Sequence, residues 1–296
     1  MLNKSEYFEP IDPDEKNDEF IAIESKSFFK DVCERFVKNK RAMIALMAIF
    51  GPMISPYSYD GMDTAIMNQR PSAAHWFGTD RFGRDLFTRV LYGARISLMV
   101  GIVTAVINTI IGVIYGGIAG YVGGRVDMWM MRLTDILYSI PELLYIILIM
   151  LIFGSNVRSI IIGVCVAGWI SMARMVRSQI ITLKEQEFAL AAFVLGANSR
   201  RILFKHLIVN SLGTIIVTVT LMIPQAIFME AFLSFVGVGI SAPMASLGTL
   251  AQDARTYLEI FPYQMLFPVA AICVTIFSLN FIGEGLNSAL NPKGKR

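Results

Sequence analysis

The chain has 296 residues, of which 55% are hydrophobic and 17% charged, against about 25% charged in soluble domains. So little polar surface excludes a soluble monomer, and the apolar residues gather into blocks approaching or exceeding the roughly 20 residues that cross a hydrocarbon core. The formal charge of +3 is too small to indicate a nucleic-acid partner, and Cys33, Cys165 and Cys273 stand too far apart for a CxxC site or a disulfide scaffold, which leaves them as small apolar fillers.

In chain order, residues 1–41 mix Asp, Glu and Lys with few apolar runs and carry no cleavable signal peptide, so a cytoplasmic tail, partly disordered or amphipathic, is expected there. Residues 42–55 form the first span; these 14 residues cover about 21 Å, short of a bilayer core unless flanking residues are recruited. A polar, turn-rich outer loop at 56–92 leads to a second span at 96–124 with no ionisable side chain. The third span, 133–153, carries Glu142 directly after Pro141 and forms a hairpin with the fourth, 159–176. A polar loop at 184–210 leads into the fifth span, 207–235, which Asn210, Gln225 and Glu230 interrupt. An outer loop at 236–264, rich in Gly, Pro and Ser, precedes the sixth span, 267–282, and a basic tail at 291–296. The expectation is an all-α membrane protein, with six transmembrane helices in a domain at 42–290.

Orientation follows from the basic residues, which are enriched in cytoplasmic loops. With the amino terminus inside and six crossings, 19 of the 26 Lys and Arg fall on the inner side, so both termini are expected in the cytoplasm. Gly112, Gly116, Gly120 and Gly124 recur every four residues on one face of the second span, a ridge that lets helices approach closely in lipid, either within the chain or between chains. Glu142 and Glu230 are expensive inside apolar spans and each needs a wet cavity or a partner. Both are candidates for lining a substrate pathway, and for Glu230 a second reading stands beside it: a helix-end acid bonded to the outer Gly-rich loop. The outer Arg81, Arg84 and Asp85 either dock another protein or make a solvated face with internal ion pairs.

Several chemistries are excluded by what is missing. With His75 and His206 as the only histidines, no HExxH and no GxSxG, an intramembrane hydrolase is poorly supported. There is no GxxxxGK[ST] loop to hold nucleotide phosphates, so any nucleotide energy must come from another chain. A secondary transporter is the alternative by class, because it also uses spans broken by proline, as at Pro141 and Pro224.

The most informative stretch is 184–206. Phe188, Ala191, Ala192 and Leu195 follow i, i+3, i+4, i+7 and define one helical face. Gly196 stops that helix, and Asn198 or Ser199 can cap another. Its apolar face lies either on lipid or against a partner. Leu190-Ala191-Ala192, Gly196 and His206-Leu207-Ile208-Val209 resemble the EAA loop of bacterial ABC importer permeases, with Leu190 in place of Glu and Val209 in place of Pro. The resemblance to the C-type permeases of oligopeptide and dipeptide importers extends to 75–80, 83–85, 92–97, 230–239 and 283–286, and covers most of the chain after Asn39. Leu247 departs from it, standing where that family usually has Trp, and so does a first span shorter than usual there. The resemblance implies a type I ABC permease fold and a pathway shared with a sister B-type permease. It also implies two cytosolic ATPase subunits that hold ATP and Mg, with no cofactor on this chain, and an extracytoplasmic peptide-binding protein. It assigns Phe188, Ala191, Ala192, Leu195, Gly196, Ala197 and Arg200 to coupling with the ATPases. Peptides are the expected substrate class, with nickel complexes as the alternative within the family.

Overall fold

The computed structural model describes residues 55–240 and 244–290, so the expected tails at 1–41 and 291–296 and nearly all of the first span at 42–55 lie outside the described residues. Among the described residues there is no β-strand; an isolated bridge joins Thr79 to Asp85, and the rest is helix and loop. Helix α1 (Leu86–Val122) starts seven residues inside the expected outer loop. Its cap is Asp85, whose carboxylate accepts from the Thr88 N–H at 2.8 Å and satisfies a donor that the first turn leaves open.

Gly123 and Gly124 both take positive φ, +69° and +58°, which a residue with a Cβ adopts only at a cost. They end α1 and turn the chain into α2 (Gly124–Tyr138). Gly124 is therefore part of a turn and not of the expected glycine ridge. Pro141 cannot donate to a helical ladder, and α2 meets α3 (Glu142–Phe153) at 74° across it. The third span expected at 133–153, with its break at Pro141, is thus a bent pair, with residues 133–138 in α2. Asn156 accepts from the Ser159 N–H at 3.0 Å and caps α4 (Val157–Ala167). The chain then runs through Gly168 into α5 (Trp169–Lys184), and 157–184 is apolar enough to be one span.

Short α6 (Glu187–Val194) follows, then one turn at Ser199–Arg201 and a π-helical turn at Ile202–Leu207, which run directly into α7 (Ile208–Val236). The loop expected at 236–264 contains α8 (Leu247–Arg255), opened by a reciprocal capping box between Ser246 and Thr249. Helix α9 (Tyr263–Leu290) ends the described chain. By length and composition, Leu86–Val122, Val157–Lys184, Ser199–Val236 and Tyr263–Asn287 can each cross a bilayer, and the bent α2–α3 pair is a fifth candidate.

Among the described residues, three of four buried clusters join these helices most widely. One gathers Met172, Val176 and Ile180 of α5 with Leu207, Ile215 and Met222 around α7 and with Ala189 and Ala192 of α6. A second joins Leu86, Val90 and Leu98 of α1 to Ile227 of α7 and to Leu247 and Leu250 of α8. The third joins Ile96 and Val100 of α1 to Ile146 and Met150 of α3 and Ile160 and Val164 of α4.

Candidate functional site

Helix α6 places the motif residues of the 184–210 loop. Only Ala189 and Ala192 face inward, where they meet the cluster formed by α5 and α7. Small side chains there let the helix lie close on the spans. Everything on the other side is left open: Phe193, Val194 and Leu195 are 69%, 82% and 86% exposed, and Phe188 and Leu190 are exposed with them. The stripe expected from periodicity is therefore split, because Phe188, Ala191 and Leu195 point outward whereas Ala192 is buried against the chain itself. Leu190, Phe193 and Val194 join the outward set, although the i, i+3, i+4 pattern does not single them out. Gly196 has φ +81° with open space around it, so it serves as the left-handed stop after α6. Asn198 accepts from the Arg201 N–H at 2.8 Å and caps the next turn. Ala197 packs partly on the inner cluster, and Arg200 is exposed.

The spans beneath α6 are tied together by polar contacts that the sequence did not announce. Arg177 of α5 makes two hydrogen bonds to the Asp127 carboxylate of α2, and Arg174 donates to Asp135 at 2.8 Å. Lys184 Nζ, at the end of α5, donates to the Tyr121 carbonyl oxygen of α1 at 2.8 Å. Gly112, Gly116 and Gly120 line the α1 face that meets α5: a Cβ at Gly116 would strike the Ala173 carbonyl oxygen, and one at Gly120 would lie 2.7 Å from that of Arg177. This ridge packs within the chain.

A cavity of about 880 Å³ opens between α1, α5, α7, α9 and the bend of α2 and α3. Its polar lining comes from Asn108, Tyr138, Glu142, Ser171, Gln225 and Asn280. Glu142 is half-buried at the first turn of α3. Asn108 is 3% exposed, and its side-chain oxygen has no hydrogen-bond partner. The sequence held a signal for this lining in the uncharged amides Asn108 and Asn280, which interrupt otherwise apolar runs.

Glu230 has a different environment. It is fully buried, accepts from Ser97 Oγ at 2.6 Å and Ser234 Oγ at 2.8 Å, and lies within hydrogen-bond reach of Ser246. It does not line the cavity, so the pathway reading of Glu230 is corrected: its carboxylate joins α1, α7 and the segment before α8. The outer cluster is also turned inward. Asp80 accepts from Arg84 Nε at 2.7 Å and from Arg89, and Asp253 of α8 stands 3.8 Å from both guanidinium groups. His75 Nδ1 lies 2.9 Å from Asp85 Oδ1. Arg84 and Asp85 are 6% and 4% exposed, too enclosed to dock a protein, and this corrects their expected docking role. Arg81 remains half-exposed, 3.9 Å from Asp253.

Residues 112–296 match the family of binding-protein-dependent transport system inner membrane components, and residues 27–71 match the N-terminal transmembrane domain of oligopeptide transport permease C. The chain is 47% identical over 294 residues to the oligopeptide transport system permease protein OppC of Bacillus subtilis, spanning 97% of this chain and 96% of that protein. It is 46% identical to the dipeptide transport system permease protein DppC of the same organism, spanning 95% and 92%. It is 44% identical to OppC of Escherichia coli K12, spanning 94% and 95%. A solved structure of the MetNI methionine ABC transporter in inward-facing conformations contains a chain of like fold, with TM-score 0.55 and 16% identity over 69% of this chain and 96% of that one. The helical order, the family match and these relatives agree: the chain belongs to the binding-protein-dependent transport system inner membrane components and is a membrane permease component with the type I ABC permease fold.

Proposed function

We propose that this chain is the C-type permease subunit of an ATP-driven peptide importer. It forms the translocation pathway together with a sister B-type permease. Two cytosolic ATPase subunits hold ATP and Mg, this chain carries no cofactor of its own, and an extracytoplasmic peptide-binding protein delivers the substrate. The permease domain at 42–290 makes six crossings, with 1–41 and 291–296 as cytoplasmic tails. The relatives named as oligopeptide and dipeptide permeases support the substrate class.

The observation that carries the coupling role is the outward apolar surface of α6. Leu190, Phe193, Val194 and Leu195 form a contiguous exposed patch on a short helix anchored by two alanines, the arrangement expected where a partner covers the surface. A helix held this way acts as a lever, because displacing it moves α5 and α7 through the shared cluster. Arg200 and Gly196 complete the partner-facing end.

The test uses single cysteines at Phe193 or Val194 in a chain whose native cysteines are replaced. A maleimide–benzophenone attached to either cysteine is expected, on illumination, to join it to an ATPase subunit in the purified complex, and a membrane-impermeant maleimide to label the cysteines in inside-out vesicles. Labelling from outside intact cells would overturn both the orientation and the coupling role.

A further inference from the structure

Neither the coupling helix nor the helix packing accounts for the cavity at the α2–α3 bend. Its volume of about 880 Å³ lies within the range of pockets that enclose small ligands, roughly 300–1,000 Å³. Its wall is mainly apolar with a few converging polar groups, among which Glu142 carries the only formal charge. Among the described residues no ion pair or hydrogen bond engages the Glu142 carboxylate, whereas Arg174, on the neighbouring α5, is committed to Asp135. Asn108, of α1, belongs to the same lining and keeps a buried side-chain oxygen without a partner. An uncompensated carboxylate on a cavity wall calls for a hydrogen-bond donor, and a cation above all, and the unpartnered acceptor of Asn108 is buried in the same wall. The break at Pro141 also delivers Glu142 to the cavity on the first turn of α3, where the helix dipole favours negative charge.

We propose that this cavity binds the α-ammonium end of a translocating peptide, with Glu142 as its counter-ion and the amides of Asn108, Gln225 and Asn280 as contacts to the peptide backbone. The inference rests on the importer reading and adds a selective site to it. An ammonium group is common to all peptides with a free amino terminus. Backbone amides are common to all of them too, so the site reads what peptides share and leaves side chains unspecified. That is the recognition a carrier of varied sequences requires.

The complete transporter, purified with its permease and ATPase partners and without the extracytoplasmic binding protein, is titrated with radiolabelled tri-alanine and with N-acetyl-tri-alanine. A charge-assisted hydrogen bond corresponds to a preference of about tenfold, so the unmodified complex is expected to bind tri-alanine about tenfold more tightly than the acetylated peptide. Glu142→Asp is expected to keep a preference, and Glu142→Gln to reduce it to about onefold in a complex of unchanged size. The inference is overturned by equal binding of the two peptides to the unmodified complex, by lack of saturable binding, or by a preference that survives Glu142→Gln. ATP-driven peptide uptake by the unmodified transporter, measured in parallel with the binding protein present, separates the two levels. Uptake without amino-terminal selectivity removes this site alone, and loss of uptake removes the importer reading.

Discussion

Gly116 shows how much one missing side chain decides in a membrane. Lipid tails are as apolar as a leucine, so helices there associate through close packing, and only a residue without a Cβ lets α1 reach the Ala173 backbone of α5. At Gly117, one position on, a Cβ would lie 3.6 Å from the Cδ1 methyl groups of Leu203 and Ile208, an ordinary contact distance. Gly116→Ala is therefore expected to destabilise the chain by about 1–3 kcal/mol through overpacking, and Gly117→Ala by much less, measured as thermal unfolding in detergent. Equal losses for both would show that the ridge is not a packing device. The spacing of Gly112, Gly116 and Gly120 was plain in the sequence. Which partner they meet, and that Gly124 leaves the ridge for a positive-φ turn, depended on where α1 ends.

At the scale of elements, α6 illustrates the limit of periodicity. A helix of eight residues gives barely two turns, so one register error rotates its apparent face, and an all-apolar sequence such as Phe188-Ala-Leu-Ala-Ala-Phe-Val194 offers no polar side to fix it. The inward face takes only small side chains, Ala189 and Ala192, while Ala191 shares the outer side with Leu190, Phe193 and Val194. Ala192→Trp is expected to lower the stability of the chain itself, because the indole has no room beside α5 and α7. Val194→Asp, at an open position, is expected to leave stability within about 0.5 kcal/mol while weakening capture of the ATPase subunits at least tenfold in co-purification. If Val194→Asp still assembles and transports fully, the outward face is not the coupling surface.

At the scale of the whole molecule, a buried ionic centre links the segment before α1, α1 itself and α8. Asp80 binds the Arg84 and Arg89 side chains and also accepts from the backbone N–H groups of Phe82 and Arg84, at 2.8 and 3.0 Å. Removing it strands two enclosed guanidinium groups with only Asp253 nearby. Asp80→Ala is expected to cost about 3–5 kcal/mol, the usual penalty for breaking one half of a buried pair. Arg81→Ala, at a half-exposed position, is expected to cost less than about 1 kcal/mol. Thermal unfolding of the two variants checks the difference, and similar small losses would mean that water reaches the centre. The charges were visible in the sequence as a cluster, but their burial was not, because it arises from α8, which lies far along the chain and folds back onto α1.

By itself the sequence determined the solvent of this protein, the location of α7 and α9, the stop at Gly196 and the family resemblance, because these rest on local properties: long apolar runs, backbone conformations that only some residues accept, and motif spacing. Tertiary structure decided everything that depends on which residues meet. It enclosed Glu230 among three serines, turned Arg84 and Arg89 inward and set the angle at Pro141 by which α3 opens on a cavity. It also set Glu142 of α3 on the same cavity as Asn108 of α1. The physical reason is that burial and pairing of a charge are properties of its neighbours, and in this chain some of those neighbours, such as Asp253 for Arg84 and Ser97 for Glu230, come from distant elements.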